Sequence, residues 1–312
     1  MKPVYSVVIP VYNEEEVITE SYKRLTAVMK SMDMYELIFV NDGSRDRTAQ
    51  IIAEIVQEDS HVRLINFTRN FGHMPAITAG MEYAQGDAII IIDADLQDPP
   101  EVLPDMAALW KEGYDVVYGK RKERKGESIF KEWSAKLFYR FINNMVPIDL
   151  PVDTGEFRLM DRKVCDAVNQ LGEKHRYVRG LVSWVGFRQV AYEYVRVQRF
   201  AGATKYPLKK MFSFAMDAIT AFSYKPLKLA TTLGFIISLC SFAYMMVILL
   251  QRLFTDTTVT GWASIIGLIL LTQGIVLMIL GLMGEYIGRI FEELKNRPVY
   301  IVLEVLGYDK VN

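Results

Sequence analysis

The sequence predicts an α/β protein: a mostly parallel sheet with helices on both faces, followed by a hairpin of two membrane-spanning helices. Three observations carry this. Short apolar runs alternate with amphipathic stretches from Val4 to about Phe200, the rhythm of strands and helices in βα order. Polar clusters follow the apolar runs, where ligands of such sheets sit. Beyond Pro226, two long stretches carry no charge at all.

The strands come first. Tyr5–Val11, Glu36–Val40, Arg63–Phe67, Ala88–Ile92 and Asp115–Gly119 are short, apolar and bounded by turn residues. Between them Glu15–Met32, Arg47–Glu58, Met74–Tyr83 and Glu101–Lys111 read as helices, with Ser44 as the start cap of the second.

The uncharged stretches run from Leu229 to Leu250 and from Gly261 to Gly284. Each exceeds the roughly 20 residues that cross hydrocarbon as a helix. Lys205, Lys209, Lys210, Lys225 and Lys228 precede them, and Arg289, Lys295 and Arg297 follow. The positive-inside rule puts both flanks in the cytoplasm and the linker Gln251–Thr260 outside. Met1–Val11 lacks a signal-peptide pattern, so the first domain is expected to face the cytoplasm. Within 126–146, Ile129, Phe130, Trp133, Leu137, Phe138, Phe141, Ile142 and Met145 share one helix face. That helix lies either in the headgroup plane or against the core. Tyr206–Phe222 reads as an approach helix at the membrane surface.

These readings divide the chain into a cytoplasmic catalytic domain (1–200), an interfacial approach segment (201–225), two membrane helices (226–290) and a cytoplasmic tail (291–312). The tail's strand-like Val299–Val305 and the glycines of the spans suit self-association, so a homo-oligomer is expected.

Composition excludes several classes. A net charge of -1 gives no footprint for nucleic acid. Cys165 and Cys240 lie far apart, and His61, His73 and His175 are scattered, so neither disulfides nor zinc is indicated. The sequence holds neither the glycine fingerprint of dinucleotide enzymes nor a P-loop.

The chemistry sits in the polar clusters. Pro10-Val11-Tyr12-Asn13-Glu14, Asn41-Asp42-Gly43-Ser44, Arg69-Asn70-Phe71-Gly72-His73 and Asp93-Ala94-Asp95 each follow a strand. Asp93 and Asp95 at one strand end repel each other unless a cation lies between them. A hard divalent ion, Mg²⁺ or Mn²⁺, is the natural partner, completed by substrate phosphates.

In this order the motifs resemble the inverting nucleotide-diphosphate-sugar transferases of the GT-A fold. Within them the chain is similar to the polyprenyl-phosphate glycosyltransferases, which include dolichol-phosphate mannose synthase and the GtrB-type bactoprenol glucosyltransferases. Asp93-Ala94-Asp95-Leu96-Gln97-Asp98-Pro99-Pro100, Asp153-Thr154-Gly155-Glu156-Phe157-Arg158-Leu159 and Arg199-Phe200-Ala201-Gly202-Ala203-Thr204-Lys205-Tyr206 extend the likeness across nearly the whole chain.

The resemblance implies roles. Pro10, Tyr12, Glu14 and Asp42 would hold the nucleoside, most naturally uridine, with Arg69 in the same group. Asp93 would meet the ribose or diphosphate side. Asp95 would bind the metal, and Arg199 and Lys205 would meet phosphates. The family's catalytic base follows the glycine of the fifth motif, Gly155. Here that residue is Glu156, one methylene longer than the usual Asp, which leaves Asp153 as a competitor.

The expected reaction moves a hexose from a UDP-sugar to undecaprenyl or another polyprenyl phosphate. Glucose comes first, with N-acetylglucosamine and galactose behind, and a lipid-sugar flippase is an expected partner. The basic run Lys120–Lys125 offers either charge to offset the phosphates or a contact with anionic lipid. Two other readings stand beside it: a processive polysaccharide synthase, and a membrane scaffold that binds nucleotide-sugars without chemistry. The sequence lacks the Q-x-x-R-W motif and the additional spans of the former.

Overall fold

The structure is a computed structural model that describes residues 2–122, 154–196, 223, 225–254 and 261–308. The helices expected at 126–146 and Tyr206–Phe222 lie outside these residues. So do Asp153, Arg199, Lys205 and the end of the basic run after Lys122.

One unit comprises Met1–Arg140, Ile148–Met211 and Arg297–Asn312. Its centre is an eight-stranded sheet in the order β7-β5-β6-β4-β1-β2-β3-β8. The strands are β1 (Tyr5–Val11), β2 (Tyr35–Asn41), β3 (Val62–Phe67), β4 (Ala88–Ile91), β5 (Val116–Arg121), β6 (Thr154–Asp161), β7 (Gln189–Tyr194) and β8 (Val302–Leu306). β1 pairs in parallel with β2 and β4, β2 with β3, and β5 with β7. β6 lies antiparallel between β4 and β5, and β8 lies antiparallel along β3. The expected parallel core is there, with two reversed strands that the apolar runs did not announce.

Helices α1 (Ile18–Met29), α2 (Thr48–Glu58), α3 (His73–Tyr83) and α4 (Leu103–Lys111) connect the early strands. A 3₁₀ turn, Pro100–Val102, opens the last of them. α5 (Arg162–Asn169) and α6 (Val178–Trp184) follow β6. All seven residues of β1 and of β2 are buried, which is why these runs are mostly apolar rather than alternating; among the buried exceptions, Ser6 and Glu36 bond to each other, the Ser6 hydroxyl donating at 2.6 Å. α3 packs close to β1 at Gly80, where a Cβ would stand 2.1 Å from Val8 Cγ1.

Ser44 does not cap α2, which begins at Thr48. Asp46 accepts the Thr48 amide and hydroxyl instead, at 3.0 and 2.6 Å. Ser44 is occupied by the neighbouring loop: its Oγ accepts from the Asn13 amide at 2.9 Å and donates to Asn41 Oδ1.

The strand-like tail is a strand, but its partner is inside the chain. Leu306 pairs with Leu64 and Val305 with Ile65. The Thr68 amide donates to the Ile301 carbonyl at 3.0 Å, and Asn66 Nδ2 donates to Glu304 at 2.6 Å. The segment after the second long helix is therefore part of the sheet rather than a free tail.

The second unit comprises Phe141–Pro147 and Phe212–Asn296. It contains α7 (Lys225–Phe254) and α8 (Trp262–Leu294), which touch each other. Their most apolar windows, Lys225–Tyr244 and Leu271–Leu294, are 6% and 0% buried. Helices of a soluble core would be mostly buried, so these faces suit hydrocarbon. The protein is membrane-associated.

Candidate active site

The chain builds outward from β1 to β2 and β3, then returns to place β4 on the other side of β1. A cleft opens at such a reversal, beyond the carboxyl ends of the strands. Here it encloses about 340 Å³ and is lined by Pro10, Val11, Tyr12, Glu14, Asp42, Asn70, Gly72, His73, Ala76, Asp93, Ala94 and Asp95. Four of the expected clusters thus meet in one cavity.

The loops after β1 and β2 are zipped together. The Arg45 amide donates to Asn13 Oδ1 at 2.8 Å, and the Glu14 amide to Thr48 Oγ1 at 2.8 Å. The Glu15 amide donates to Asp46, and the Arg47 amide to Glu15, at 3.2 and 2.9 Å. Asn13 takes a left-handed φ of 54°, which Asn tolerates well. Tyr12 remains 43% exposed at the mouth, a ring face open to a ligand.

Asp42 is buried, and both its oxygens accept backbone amides from the third cluster: Phe71 at 2.6 Å and Gly72 at 2.9 Å. Burial raises its pKa against the lowering effect of those amides. Asp42 therefore ties the β2 loop to the β3 loop while also lining the cleft. Gly43 makes the approach feasible. Its φ is +66°, and a Cβ there would lie 2.4 Å from the Arg69 carbonyl carbon.

Arg69, expected among the nucleotide ligands, is exposed and does not line the cleft. Its guanidinium lies 4.1 Å from the Phe71 ring centroid and donates to the Asn70 carbonyl.

Asp93 and Asp95 follow β4. The Gln97 amide donates to Asp95 Oδ1 at 3.1 Å. Between them in the chain, Leu96 holds φ +58°, a conformation that costs a branched residue on the order of 1–3 kcal/mol. Asp93 Oδ1 stands 3.6 Å from His73 Nε2. Burial raises the Asp93 pKa to about 6; His73 opposes the shift, while Asp98, Asp95 and Glu156 add to it.

Glu156 reaches the same place from β6. Ile91 pairs with Arg158 at the end of the antiparallel ladder, so Glu156 lies just past the last pair, as Asp93 does. Glu156 is buried between two guanidiniums, Arg158 Nη2 at 3.3 Å and Arg179 Nε at 3.8 Å. Arg158 also donates to the Gly155 and Glu156 carbonyls, both at 3.1 Å, which fixes the backbone here.

Several participants were not singled out from sequence. Asn70, Gly72 and His73 were quoted in a motif but given no role, and they line the cleft. Arg179 and Tyr177 beside Glu156 carry no local motif. Asp98 is fully buried, accepts from the Tyr194 hydroxyl, and lies 3.6 Å from Arg196 Nε. Burial opposes the Arg121 charge, but Tyr194, Asp98 and Asp93 more than offset it.

Among the described residues, no group of three His, Cys, Asp or Glu side chains is placed to hold a metal ion. Asp93 and Asp95 nevertheless fit a hard divalent cation. Both are oxygen donors facing one cleft, and the carboxylates around Asp93 concentrate negative charge that a cation would relieve. Such an ion takes one or two protein carboxylates and completes its shell with phosphate and water.

Sequence and fold together define a sugar-transferring enzyme. Residues 6–168 match the Glycosyl transferase family 2 model. The chain belongs to that family, and its sheet is of the GT-A type. It is 59% identical to "Uncharacterized glycosyltransferase YkcC" of Bacillus subtilis, over 98% of this chain and 95% of that one. It is 40% identical to the bactoprenol glucosyl transferase of Shigella phage SfII, over 95% of this chain and 96% of that one. Among solved structures, S. aureus TarS 1-349 aligns with TM-score 0.45 and 18% identity, over 71% of this chain and 65% of that one.

Proposed function

We propose that the enzyme transfers a hexose, glucose first, from a UDP-sugar to a polyprenyl phosphate at the membrane, with inversion at the anomeric carbon. The carrying observation is the cleft where Pro10, Tyr12, Glu14 and Asp42 meet Asp93 and Asp95, in a chain that also bears two exposed apolar helices. The bactoprenol glucosyl transferase relative supports both lipid acceptor and sugar.

Tyr12, with Pro10 and Asp42 behind it, suits the nucleoside end of the donor. Asp93 and Asp95 would hold Mg²⁺ or Mn²⁺, which when bound stabilises the charge developing on the diphosphate leaving group. The acceptor is a phosphate monoester with a second pKa of about 6, already largely ionised near pH 7. It needs little help losing a proton. Glu156, clamped by Arg158 and Arg179, is better placed to orient the acceptor than to act as a strong base. Asp153 stays a competitor for either role. Arg199 and Lys205 would meet phosphates, as the resemblance implies.

Connectivity supports a hairpin topology. The chain leaves the sheet after β7, forms two helices of 30 and 33 residues, and rejoins the sheet at β8. A chain that returns to the side it left crosses the bilayer an even number of times, and both helices exceed the roughly 30 Å hydrocarbon thickness. Both flanks then lie on one side of the bilayer, and the basic residues that flank the helices favour the cytoplasm for that side. Cysteines placed at Glu112 and Lys295 should react with an impermeant thiol reagent only after lysis, and one at Thr257 in intact cells. Reaction of Lys295→Cys in intact cells would break this topology.

Radiolabel from UDP-glucose should enter the organic phase with undecaprenyl phosphate, given Mg²⁺ or Mn²⁺. Insoluble label would mark a polysaccharide synthase instead. UDP binding without transfer from any UDP-sugar would mark a scaffold.

A further inference from the structure

Behind the cleft, an aromatic column links the chain's return segment to the loop that lines the donor site. Tyr300, six residues beyond α8, stacks on Phe67 with centroids 4.9 Å apart and planes 13° from parallel. Phe67, buried at the end of β3, meets Phe71 edge-on at 5.7 Å. The Phe71 and Gly72 amides are the two that donate to Asp42, and Asp42 and Gly72 line the cleft. The other end of Tyr300 is pinned: its hydroxyl donates to Glu82 of α3, which lies 3.8 Å from the buried Arg176 guanidinium. The Thr68 amide to the Ile301 carbonyl, 3.0 Å, locks the register of the column.

The position of the Phe71–Gly72 backbone therefore depends on what packs beneath it. Asp42 alone cannot set it, because a carboxylate accepts from a broad range of directions. Phe71 rests on Phe67, and Phe67 is flattened against Tyr300. Aromatic pairs are directional as well as attractive, so removing Tyr300 lets the Phe67 ring turn and the loop settle elsewhere.

We propose that Tyr300 is a positioning residue for the donor site, acting through Phe67 and Phe71 on the Asp42–Gly72 wall of the cleft. This rests on the reading of that cleft as a UDP site. Tyr300 does not touch the cleft, and its effect is on donor affinity rather than on the chemical step.

The test uses the full-length protein in lipid. UDP affinity is measured by calorimetry, and donor KM and kcat by transfer. Tyr300→Ala should weaken UDP and raise donor KM about tenfold, with kcat nearly unchanged. Tyr300→Phe keeps the stack and loses only the Glu82 bond, so it should restore most of the affinity. Tyr308→Ala is the control on the same segment. It removes packing on Tyr83 and on Arg63 but no part of the column, so it should lower Tm comparably and leave UDP affinity alone. Equal UDP affinity in Tyr300→Ala and wild type would overturn the proposal, as would equal losses in Tyr300→Ala and Tyr308→Ala. A wild type that binds no UDP would instead remove the reading of the cleft on which the proposal rests.

Discussion

Glu156 reaches Asp93 from the antiparallel neighbour of β4, just past the last ladder pair Ile91 and Arg158, and its charge helps raise the Asp93 pKa. They come from strands running in opposite directions. A parallel strand beside β4 would have offered this end of the sheet its own carboxyl terminus, and the Gly155–Glu156 segment would have lain at the far edge. Reversal of β6 is what delivers Glu156 to the cleft.

Replacing Glu156 by Gln keeps the shape and removes the charge between Arg158 and Arg179. Transfer should fall by about 10²-fold in kcat, the scale of lost acceptor positioning, with donor KM changed by no more than about threefold. Glu156→Asp should recover part of the loss, because the family's usual side chain at this place is shorter. A Glu156→Gln enzyme with wild-type kcat would leave the role to Asp153.

Asp95→Ala should reduce transfer on the order of 10²–10³-fold, as expected when one charge-stabilising element leaves the transition state. EDTA should bring the wild type down to a similar level, and added Mg²⁺ or Mn²⁺ should restore it. Restoration that fails in Asp95→Ala but succeeds in the wild type assigns the metal dependence to this side chain.

Asp93 gives a pH signature in metal-free protein. Its folded pKa of about 6 lies above the usual carboxylate value. Between about pH 4 and 6 the folded state holds a proton that the unfolded state has released, so this group's contribution to stability falls as pH rises through that window. Asp93→Asn should therefore be more stable than the wild type at pH 7 and indistinguishable from it near pH 4. With a third of the side chain open to solvent, the gain at pH 7 is on the order of 1 kcal/mol, roughly 2–4 °C in Tm. Thermal scans in EDTA at the two pH values check it. A lower Tm for Asp93→Asn at pH 7 would contradict the sign.

Gly43→Ala should be far costlier than its size suggests. The new methyl would need a left-handed φ and would stand 2.4 Å from the Arg69 carbonyl carbon. A loss of roughly 1–3 kcal/mol follows from the backbone alone, and the Asp42–Phe71 bond should weaken with it. Falling Tm together with weaker UDP binding is the expected pair.

Much of the site was legible because its residues sit at strand ends. Asp93, Asp95, Asp42, Tyr12 and Glu14 follow continuous apolar runs, and such runs report buried strands directly. Glu156 was legible only as part of a motif. Its strand, Thr154–Asp161, carries the buried Arg158 in its middle, and a charge there hides both the alternation and the direction of pairing. Arg69 was expected among the nucleotide ligands, and its motif gives no sign that its guanidinium lies over Phe71. Ser44 looked like a cap because it precedes a helical pattern, yet the Asn13 loop, far away in sequence, claims its hydroxyl. β8 was visible as a strand, but nothing in Val302–Leu306 names β3 as its partner across more than two hundred residues.

The return of β8 sets an order of events during synthesis. Strands β1 to β7 emerge before α7 and α8, and β8 emerges only after both. While the apolar helices are being made, β3 presents an unpaired edge, the kind that templates misassociation. The sheet closes, and Tyr300 reaches Phe67, only after the second helix has been delivered. A chain whose second helix has not yet been made is thus also one in which the proposed Tyr300 backing of the cleft is absent.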